Sequence, residues 1–302
     1  MKTKFFMLII AAAAMVSANA QEIKAANTQK IKVALACSSA CEAFHENTPK
    51  MSNDPRRLWG WGEVLELYFD KNVKILNFAK SGRSTVTFRS QGYWKQLLDS
   101  KPDYVIMALG ANDSKKGPKY TEPQTSYKEN LRRFYNEAKA IGAKTIFVTL
   151  NQSMSRGADD RPTFNKEGKI MRQDRAPYSQ AMREVAKEFN APCLELFDNQ
   201  KKEMEKVGVD ECRKMYRIYE DTNRYDPSHT NLYGAHFIAN IIARELSNAD
   251  TPLAKHVMKS RLWESKLIPV VKEVKKNGKA PETNAVKNDR KAPGAKEVKK
   301  NK

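Results

Sequence analysis

A regular alternation of short apolar runs with longer amphipathic segments between residues 30 and 250 restricts the fold of this chain more than any other feature. Each apolar run is continuous, as in strands that are covered on both faces of a sheet. The links are short, so consecutive strands are expected to be parallel and joined by crossover helices. The predicted strands are Val33–Ala36, Val73–Ala79, Tyr104–Leu109, Thr145–Leu150 and Pro192–Phe197. The predicted helices are Gly62–Phe69, Trp94–Leu98, Ser126–Ile141, Tyr178–Phe189 and Leu232–Leu246.

This alternation predicts an α/β fold, a three-layer α/β/α sandwich in which helices cover both faces of a five-stranded parallel sheet. The last predicted helix supports the sandwich, because its apolar residues Ile238, Ile241, Ile242 and Leu246 recur at helical spacing. In such sheets ligands bind beyond the carboxyl ends of the strands. Functional side chains are therefore expected in the segments that directly follow the strands.

Polar segments with a specific chemistry follow the first three strands and precede the last helix. They are Cys37-Ser38-Ser39, Lys80-Ser81-Gly82-Arg83-Ser84, Gly110-Ala111-Asn112-Asp113 and Asp226-Pro227-Ser228-His229. Together they hold a hydroxyl, a glycine turn that can expose a backbone N–H, a side-chain amide, and an Asp three residues before a His. Acyl transfer needs a nucleophile, a base oriented by a carboxylate, and donors for an oxyanion. The set therefore indicates acyl transfer.

These four segments, in this order, resemble the blocks of the SGNH (GDSL-type) hydrolases and, within them, of the rhamnogalacturonan acetylesterase-like carbohydrate esterases. The resemblance covers roughly residues 31–247 and implies the flavodoxin-like SGNH hydrolase fold and cofactor-free ester hydrolysis. Further segments similar to these esterases are Gly60-Trp61-Gly62-Glu63, Asn77-Phe78-Ala79, and Phe164-Asn165 with Gly168-Lys169 followed by Tyr178.

The resemblance also implies roles for individual residues. His229 would be the general base and Asp226 the acid that orients it. Gly82 would offer its backbone N–H, and Asn112 its side-chain amide, to the oxyanion. The nucleophile implied by the alignment of the first block is Ser39.

The first block departs from the family pattern, because Cys37-Ser38-Ser39 stands where the family has Gly-Asp-Ser. With Val33–Ala36 on the strand, Ser39 takes the position of the nucleophile. A register shifted by one residue selects Ser38 instead but places Lys32 inside the strand, and Cys37 is a third possible nucleophile. At the glycine position, the side chain of Cys37 would be costly if the backbone there required a positive φ.

Each block also has an ordinary structural interpretation. Ser39 and Asp226 could be helix N-caps, the latter with Pro227 at the first helical position, while Gly82 could be a plain turn and Asn112 a loop cap. Their joint order favours an esterase. A catalytically degenerate SGNH-fold protein that binds glycans, and an esterase for lipids or small esters, remain as alternatives.

The two ends of the 302-residue chain differ from its body in composition. Residues 1–20 have the pattern of a signal peptide, with an apolar stretch too short to span a bilayer. Residues 21–250 form the predicted hydrolase-like domain, 251–271 a C-terminal extension, and 272–302 a disordered basic tail. The mature protein is therefore expected to be exported to the periplasm or the extracellular space, without an integral membrane segment.

A net charge of +19 is compatible with binding to nucleic acid, but the sequence contains no nucleic-acid-binding motif, so no nucleic-acid partner is expected. Without the two ends the charge is still about +10, which suits an acetylated acidic polysaccharide such as a pectin. The long polar loop 151–177 is expected to form a wall of the sugar site.

Neither a metal nor a fixed disulfide pattern can be assigned from the sequence. The four His are scattered, so no metal site is expected. The four cysteines allow three pairings, among which the sequence cannot choose. They are Cys37, Cys41, Cys193 and Cys212, of which Cys193 is expected to behave as a small apolar residue on a buried strand.

Overall fold

The computed structural model describes residues 30–47, 54–158, 161–164, 173–219 and 221–263. The predicted signal peptide (1–20) and basic tail (272–302) lie outside the described residues, as does the end of the predicted extension.

A five-stranded parallel sheet with strand order β2-β1-β3-β4-β7 forms the centre of the molecule, as predicted. Two antiparallel hairpins, β5–β6 and β8–β9, were not predicted. The strands are β1 (Ile31–Ala36), β2 (Val73–Asn77), β3 (Tyr104–Met107), β4 (Lys144–Val148), β5 (Ser155–Arg156), β6 (Pro162–Thr163), β7 (Cys193–Leu194), β8 (Tyr216–Ile218) and β9 (Tyr225–Thr230).

Helices cover both faces of this sheet, so the three-layer sandwich is confirmed. The side chains of β1 show the division, because Val33 and Leu35 pack into one apolar core and Ala34 and Ala36 into the other. The α-helices are α1 (Phe44–Asn47), α2 (Trp61–Val64), α3 (Thr85–Ser90), α4 (Tyr93–Asp99), α5 (Lys128–Ala140), α6 (Ala176–Glu188), α7 (Leu196–Val207), α8 (Val209–Arg213) and α9 (Leu232–Asn248). The first core takes in α2 and α9, and the second takes in α4, α5 and α6.

The predicted strand Pro192–Phe197 is wrong beyond its first half. Only Cys193–Leu194 pairs with β4, and a helix, α7, begins at Leu196. The side chain of Glu195 accepts a hydrogen bond from the backbone N–H of Asp198, which caps this helix. The helix α7 was not predicted because its many charged residues obscure the helical spacing of its apolar residues.

The segment predicted as one helix, Gly62–Phe69, is a single α-helical turn, α2, followed by a 3₁₀ turn over Leu65–Tyr68. Gly62 and the preceding Gly60 let this segment lie directly on the backbone that follows β1. A Cβ on Gly60 would stand 2.3 Å from the carbonyl oxygen of Glu42, and one on Gly62 would stand 2.3 Å from that of Cys41. The Gly-Trp-Gly segment is therefore a packing requirement of the turn that carries Ser39.

We predict that Gly62→Ala lowers the free energy of unfolding by about 3 kcal/mol, because its new Cβ meets backbone that cannot rotate away. Urea denaturation measures the loss. Gly117→Ala is the control. Gly117 has a φ of +91°, and a Cβ there would meet no atom within 4 Å, so this variant should lose only about 1 kcal/mol, through backbone strain. Equal losses in the two variants would contradict this account of Gly62.

Candidate active site

Ser39 lies in a tight turn directly after β1. The turn is closed by a 3.2 Å hydrogen bond from the N–H of Cys41 to the carbonyl of Ser38, and Cys37 and Cys41 are joined by a disulfide. Ser38 is buried, whereas Ser39 is partly exposed. Cys37 is not among the residues with a positive φ, so the backbone at this position does not require glycine. Because its sulfur is in a disulfide, Cys37 offers no thiolate to act as a nucleophile.

The strand register that favoured Ser39 rested on one wrong assumption. Lys32 was expected to lie outside the strand, but β1 begins at Ile31 and includes it. Lys32 is tolerated there because it lies at the start of the strand, where its Nζ reaches the carbonyl of Ser100 at 3.3 Å.

The structure brings Ser39, His229 and Asp226 together. His229 Nε2 lies 3.0 Å from Ser39 Oγ, and His229 Nδ1 lies 2.8 Å from Asp226 Oδ2. Asp226 and His229 lie on β9, so the interpretation of Asp226-Pro227 as a helix start is wrong. The N-cap of α9 is Asn231, whose side chain accepts the N–H of Gly234 at 3.1 Å.

The carboxyl group of Asp226 is held in its ionised form. Burial acts to raise its pKa, but hydrogen bonds from His229, the Ser228 N–H and the Tyr219 hydroxyl outweigh burial and bring the pKa to about 2. A carboxylate can only accept a hydrogen bond, so the proton between it and the ring belongs to His229 Nδ1. In the neutral ring, Nε2 then faces Ser39 Oγ with its lone pair and can accept the hydroxyl proton.

Tyr219 is a site residue that the sequence analysis missed. Its hydroxyl donates to Asp226 Oδ2 at 3.0 Å, and the guanidinium of Arg217 lies 4.2 Å from the centre of its ring. Tyr219 follows β8, and the spacing of residues gave no signal for the β8–β9 hairpin. The phenol adds a second donor to the oxygen that holds the imidazole.

The second and third blocks meet beside the first. Gly82, with a φ of +75°, lies in a turn closed by a 3.3 Å bond from Arg83 N–H to the Lys80 carbonyl. Asn112 Nδ2 donates to the Arg83 carbonyl at 3.0 Å, and the Lys80 N–H donates to the Cys37 carbonyl at 3.2 Å. These bonds tie the loops of Gly82 and Asn112 to each other and to the turn of Ser39.

Asp113 supports the third block from inside the protein. Its buried carboxyl group accepts the backbone N–H of Thr85 at 3.0 Å and the hydroxyls of Thr85 and Thr121. Burial raises the pKa of Asp113 to about 6, against the effect of these bonds. The Tyr178 hydroxyl donates to the carbonyls of Asp113 and Thr121, so α6 fastens the same loop.

The described parts of loop 151–177 border β9. The Met154 N–H donates to the Pro227 carbonyl at 3.0 Å, and Arg156 Nη2 donates to the Tyr225 carbonyl at 3.3 Å. Of the segments that resembled the family's loop, Asn165 and Gly168-Lys169 lie outside the described residues. The predicted sugar wall stays a prediction.

The remaining cysteines are free thiols, Cys193 and Cys212, and burial raises the pKa of each to about 12. Within the described part of the chain, no cluster of three or more His, Cys, Asp or Glu could hold a metal ion. A helix long and apolar enough to cross a membrane is also absent between residues 30 and 263, as far as these are described.

A family model described as the GDSL-like lipase/acylhydrolase family matches residues 46–213. The chain belongs to this family. The resemblance seen in its motifs is thereby confirmed, and the protein is a carboxylic ester hydrolase of the SGNH type. The matched span contains Gly82 and Asn112, but it begins after Ser39 and ends before Asp226 and His229.

Two relatives in Bacillus subtilis match most of the domain. The chain is 26% identical over 220 residues to a protein named "Probable rhamnogalacturonan acetylesterase YesY", covering 72% of this chain and 96% of that one. It is 28% identical over 209 residues to rhamnogalacturonan acetylesterase RhgT, covering 66% of this chain and 85% of that one.

A solved structure shows the same fold. The crystal structure of the Bacillus subtilis protein YxiM has a TM-score of 0.57 and 24% sequence identity, over 72% of this chain. The chain spans only 56% of the length of that protein.

We predict that acid weakens the native protein partly through Asp226. Its folded pKa of about 2 lies below the ordinary 3.8, so its stabilising effect is complete above pH 3.8 and is lost as the pH falls towards 2. Between pH 5 and 2, wild type should lose about 1–2 kcal/mol more unfolding free energy than Asp226→Asn. Urea midpoints measured across this pH range give the loss of unfolding free energy.

The control is Asp221→Asn, which changes an exposed carboxylate on the same hairpin and should keep the wild-type dependence of stability on pH. Parallel curves for wild type and Asp226→Asn would refute the prediction.

Proposed function

We propose that the protein is an exported serine esterase that removes O-acetyl groups from a plant-type polysaccharide such as rhamnogalacturonan or pectin. The observation that carries the proposal is the continuous contact from Ser39 Oγ to His229 Nε2 at 3.0 Å and from His229 Nδ1 to Asp226 at 2.8 Å. This is the arrangement that a serine nucleophile, its base and an orienting acid require.

In the proposed first step, His229 Nε2 takes the proton of Ser39 as Oγ attacks the acetyl carbonyl carbon. Asp226 keeps the imidazole in the required tautomer and stabilises the imidazolium that forms. The oxyanion accepts hydrogen bonds from the backbone N–H groups of Gly82 and Ser39 and from Asn112 Nδ2. Asn112 has a second amide hydrogen for this purpose, because an amide nitrogen carries two and the Arg83 carbonyl takes one.

Collapse of the tetrahedral intermediate breaks the ester bond, and the imidazolium of His229 gives its proton to the departing sugar oxygen. A water molecule then attacks the acetyl-Ser39 ester, with His229 again accepting the proton. Acetate leaves and the Ser39 hydroxyl is restored. The proposed cycle uses no cofactor or metal.

The substrate class rests on the names of the relatives and on charge. Both Bacillus subtilis relatives are named as rhamnogalacturonan acetylesterases, although identity to either is below 30%. The positive charge of residues 21–271, about +10, would favour an acidic polymer over a neutral one. Met154 of loop 151–177 contacts the strand of His229, and this loop is proposed to wall the sugar site.

Export to the periplasm or the extracellular space is proposed from two features. Residues 1–20 have the charged start, apolar stretch and small-residue cleavage site of a signal peptide. The disulfide between Cys37 and Cys41 suits an oxidising compartment. Residues 21–250 would form the catalytic domain, followed by the extension 251–271 and the basic tail 272–302.

We predict that the protein without residues 1–20 hydrolyses p-nitrophenyl acetate, and that Ser39→Ala and His229→Ala each lower kcat at least about 1,000-fold. Ser38→Ala is the matched control, because Ser38 is buried next to Ser39. It should retain activity within about threefold of wild type. Loss of activity in Ser38→Ala alone would move the nucleophile to Ser38. A wild type no faster than His229→Ala would favour a degenerate, glycan-binding protein.

The acyl and polymer preferences form a separate prediction. Acetate should be released from acetylated pectin, and p-nitrophenyl acetate should be cleaved at least about tenfold faster than p-nitrophenyl octanoate, because a site shaped for acetyl excludes a long chain. Chemically deacetylated pectin, which should yield no acetate, is the control. Faster cleavage of the octanoate ester, without acetate release from pectin, would indicate a lipid or small-ester esterase.

A further inference from the structure

Glu42 is a buried carboxylate beside the site that the mechanism above does not use. It directly follows the turn of Ser39 and is 3% exposed. Its Oε1 lies 2.7 Å from Lys80 Nζ, and its Oε2 accepts the Ser81 backbone N–H at 2.7 Å as well as the Ser81 hydroxyl. The carboxylate therefore joins the turn of the proposed nucleophile to the turn that contains Gly82.

The bonds to Ser81 fix the residue that leads into the Gly82 N–H, because Ser81 supplies the carbonyl of the Ser81–Gly82 peptide while its own N–H and hydroxyl are bound by Glu42. A trans peptide is planar, so the carbonyl of Ser81 and the N–H of Gly82 lie in one plane and point in opposite directions. Arg83 Nη1 donates to that carbonyl at 2.7 Å. Arg83 therefore binds the Ser81–Gly82 peptide itself, and Glu42 fixes the Ser81 residue from which that peptide leaves. Together these bonds restrict the direction of the Gly82 N–H.

Gly82 itself has little to hold it. A Cβ at Gly82 would have only the ammonium group of Lys119 within 4 Å, at 3.3 Å. Glycine also has access to more backbone conformations than any other residue. The orientation of its N–H must therefore come from its neighbours, and Ser81 is bound on both its N–H, by Glu42, and its carbonyl, by Arg83, each at 2.7 Å.

An uncharged side chain of the same shape could not make the same contacts. Glu42 receives hydrogens from Lys80, the Ser81 N–H and the Ser81 hydroxyl, and each of its two oxygens accepts at least one. In glutamine one of these oxygens becomes an NH₂ group, which donates and does not accept. Whichever way the amide turned, it would face either the Lys80 ammonium or the Ser81 N–H as a second donor.

We propose that Glu42 is a positioning residue for ester hydrolysis, one that holds Ser81 and thereby restrains the following peptide, so that the Gly82 N–H is aimed at the developing oxyanion. This inference rests on the proposed function. Donors that are aimed before the reaction begins stabilise the transition state more than the substrate. Loss of Glu42 should therefore lower kcat and leave KM almost unchanged.

The test measures p-nitrophenyl acetate turnover by wild type and Glu42→Gln per active serine. Diethyl p-nitrophenyl phosphate counts the active serines, because each releases one p-nitrophenolate on phosphorylation. We expect Glu42→Gln to lower kcat per titrated serine about 10- to 100-fold, with KM within about threefold of wild type. A merely structural role would reduce the number of titrated serines and the Tm but leave kcat per serine unchanged, which would overturn the proposal.

Glu66, which lies in the 3₁₀ turn Leu65–Tyr68 and binds two residues of β2, provides a control with the same bonding pattern. Its carboxylate accepts the Ile75 backbone N–H at 2.9 Å and pairs with Lys74 Nζ at 3.1 Å, the same combination of a lysine and the next N–H. Glu66→Gln should keep the wild-type kcat per titrated serine. An equal loss in Glu66→Gln would show that the effect of Glu42→Gln is not specific to the site, and would overturn the proposal.

Ser81→Ala provides a second test of the role of Glu42 in case Glu42→Gln does not fold. It removes the hydroxyl bond to Glu42 and leaves the backbone N–H bond, so kcat per titrated serine should fall about 3- to 10-fold. Wild-type kcat in Ser81→Ala would then overturn the role of Glu42. If the activity of the wild type depends on His229 but Glu42→Gln is fully active, the role of Glu42 is refuted and the proposed function is not. If the wild type is inactive, the proposed function is refuted as well.

Discussion

The complete burial of β1 between two apolar layers is the constraint on which the rest of the structure depends. Val33 and Leu35 face one layer and Ala34 and Ala36 the other, and all four are fully inaccessible to solvent. A shift of the strand by one residue would exchange the two sets and put leucine where the second layer has room for alanine. The register of β1 is thereby fixed.

The fixed register decides where the loops meet. In the parallel pairing, Leu35 lies opposite Asn77 of β2, and Ala36 lies opposite Met107 of β3. The three strands therefore end close together, and the turns of Ser39, Gly82 and Asn112 leave from one edge of the sheet. Short bonds such as the one from the Lys80 N–H to the Cys37 carbonyl then suffice to join them.

The sequence predicted these parts because they depend on local patterns. Continuous apolar runs indicate buried parallel strands, and the four blocks lie next to the elements that position them. The β8–β9 hairpin could not be predicted in this way, because distant contacts fasten it: Arg57 Nη1 donates to the carbonyls of Ile218 and Tyr219 at 3.0 and 2.9 Å. The contacts of Glu42 could not be predicted for the same reason, because the residues it binds lie 38 and 39 positions later in the chain. One sequence carries no spacing rule for such pairs.

The disulfide between Cys37 and Cys41 places Ser39 inside a covalent ring of five residues. The shape of that ring depends on thiol oxidation as well as on noncovalent packing, so the redox history of the polypeptide affects the position of the Ser39 hydroxyl. A sample made in a reducing cytosol and one made in an oxidising compartment are then different molecules at this turn, although their sequences are identical. Activities measured on different preparations of this protein are therefore comparable only when the oxidation state of these two sulfurs is the same.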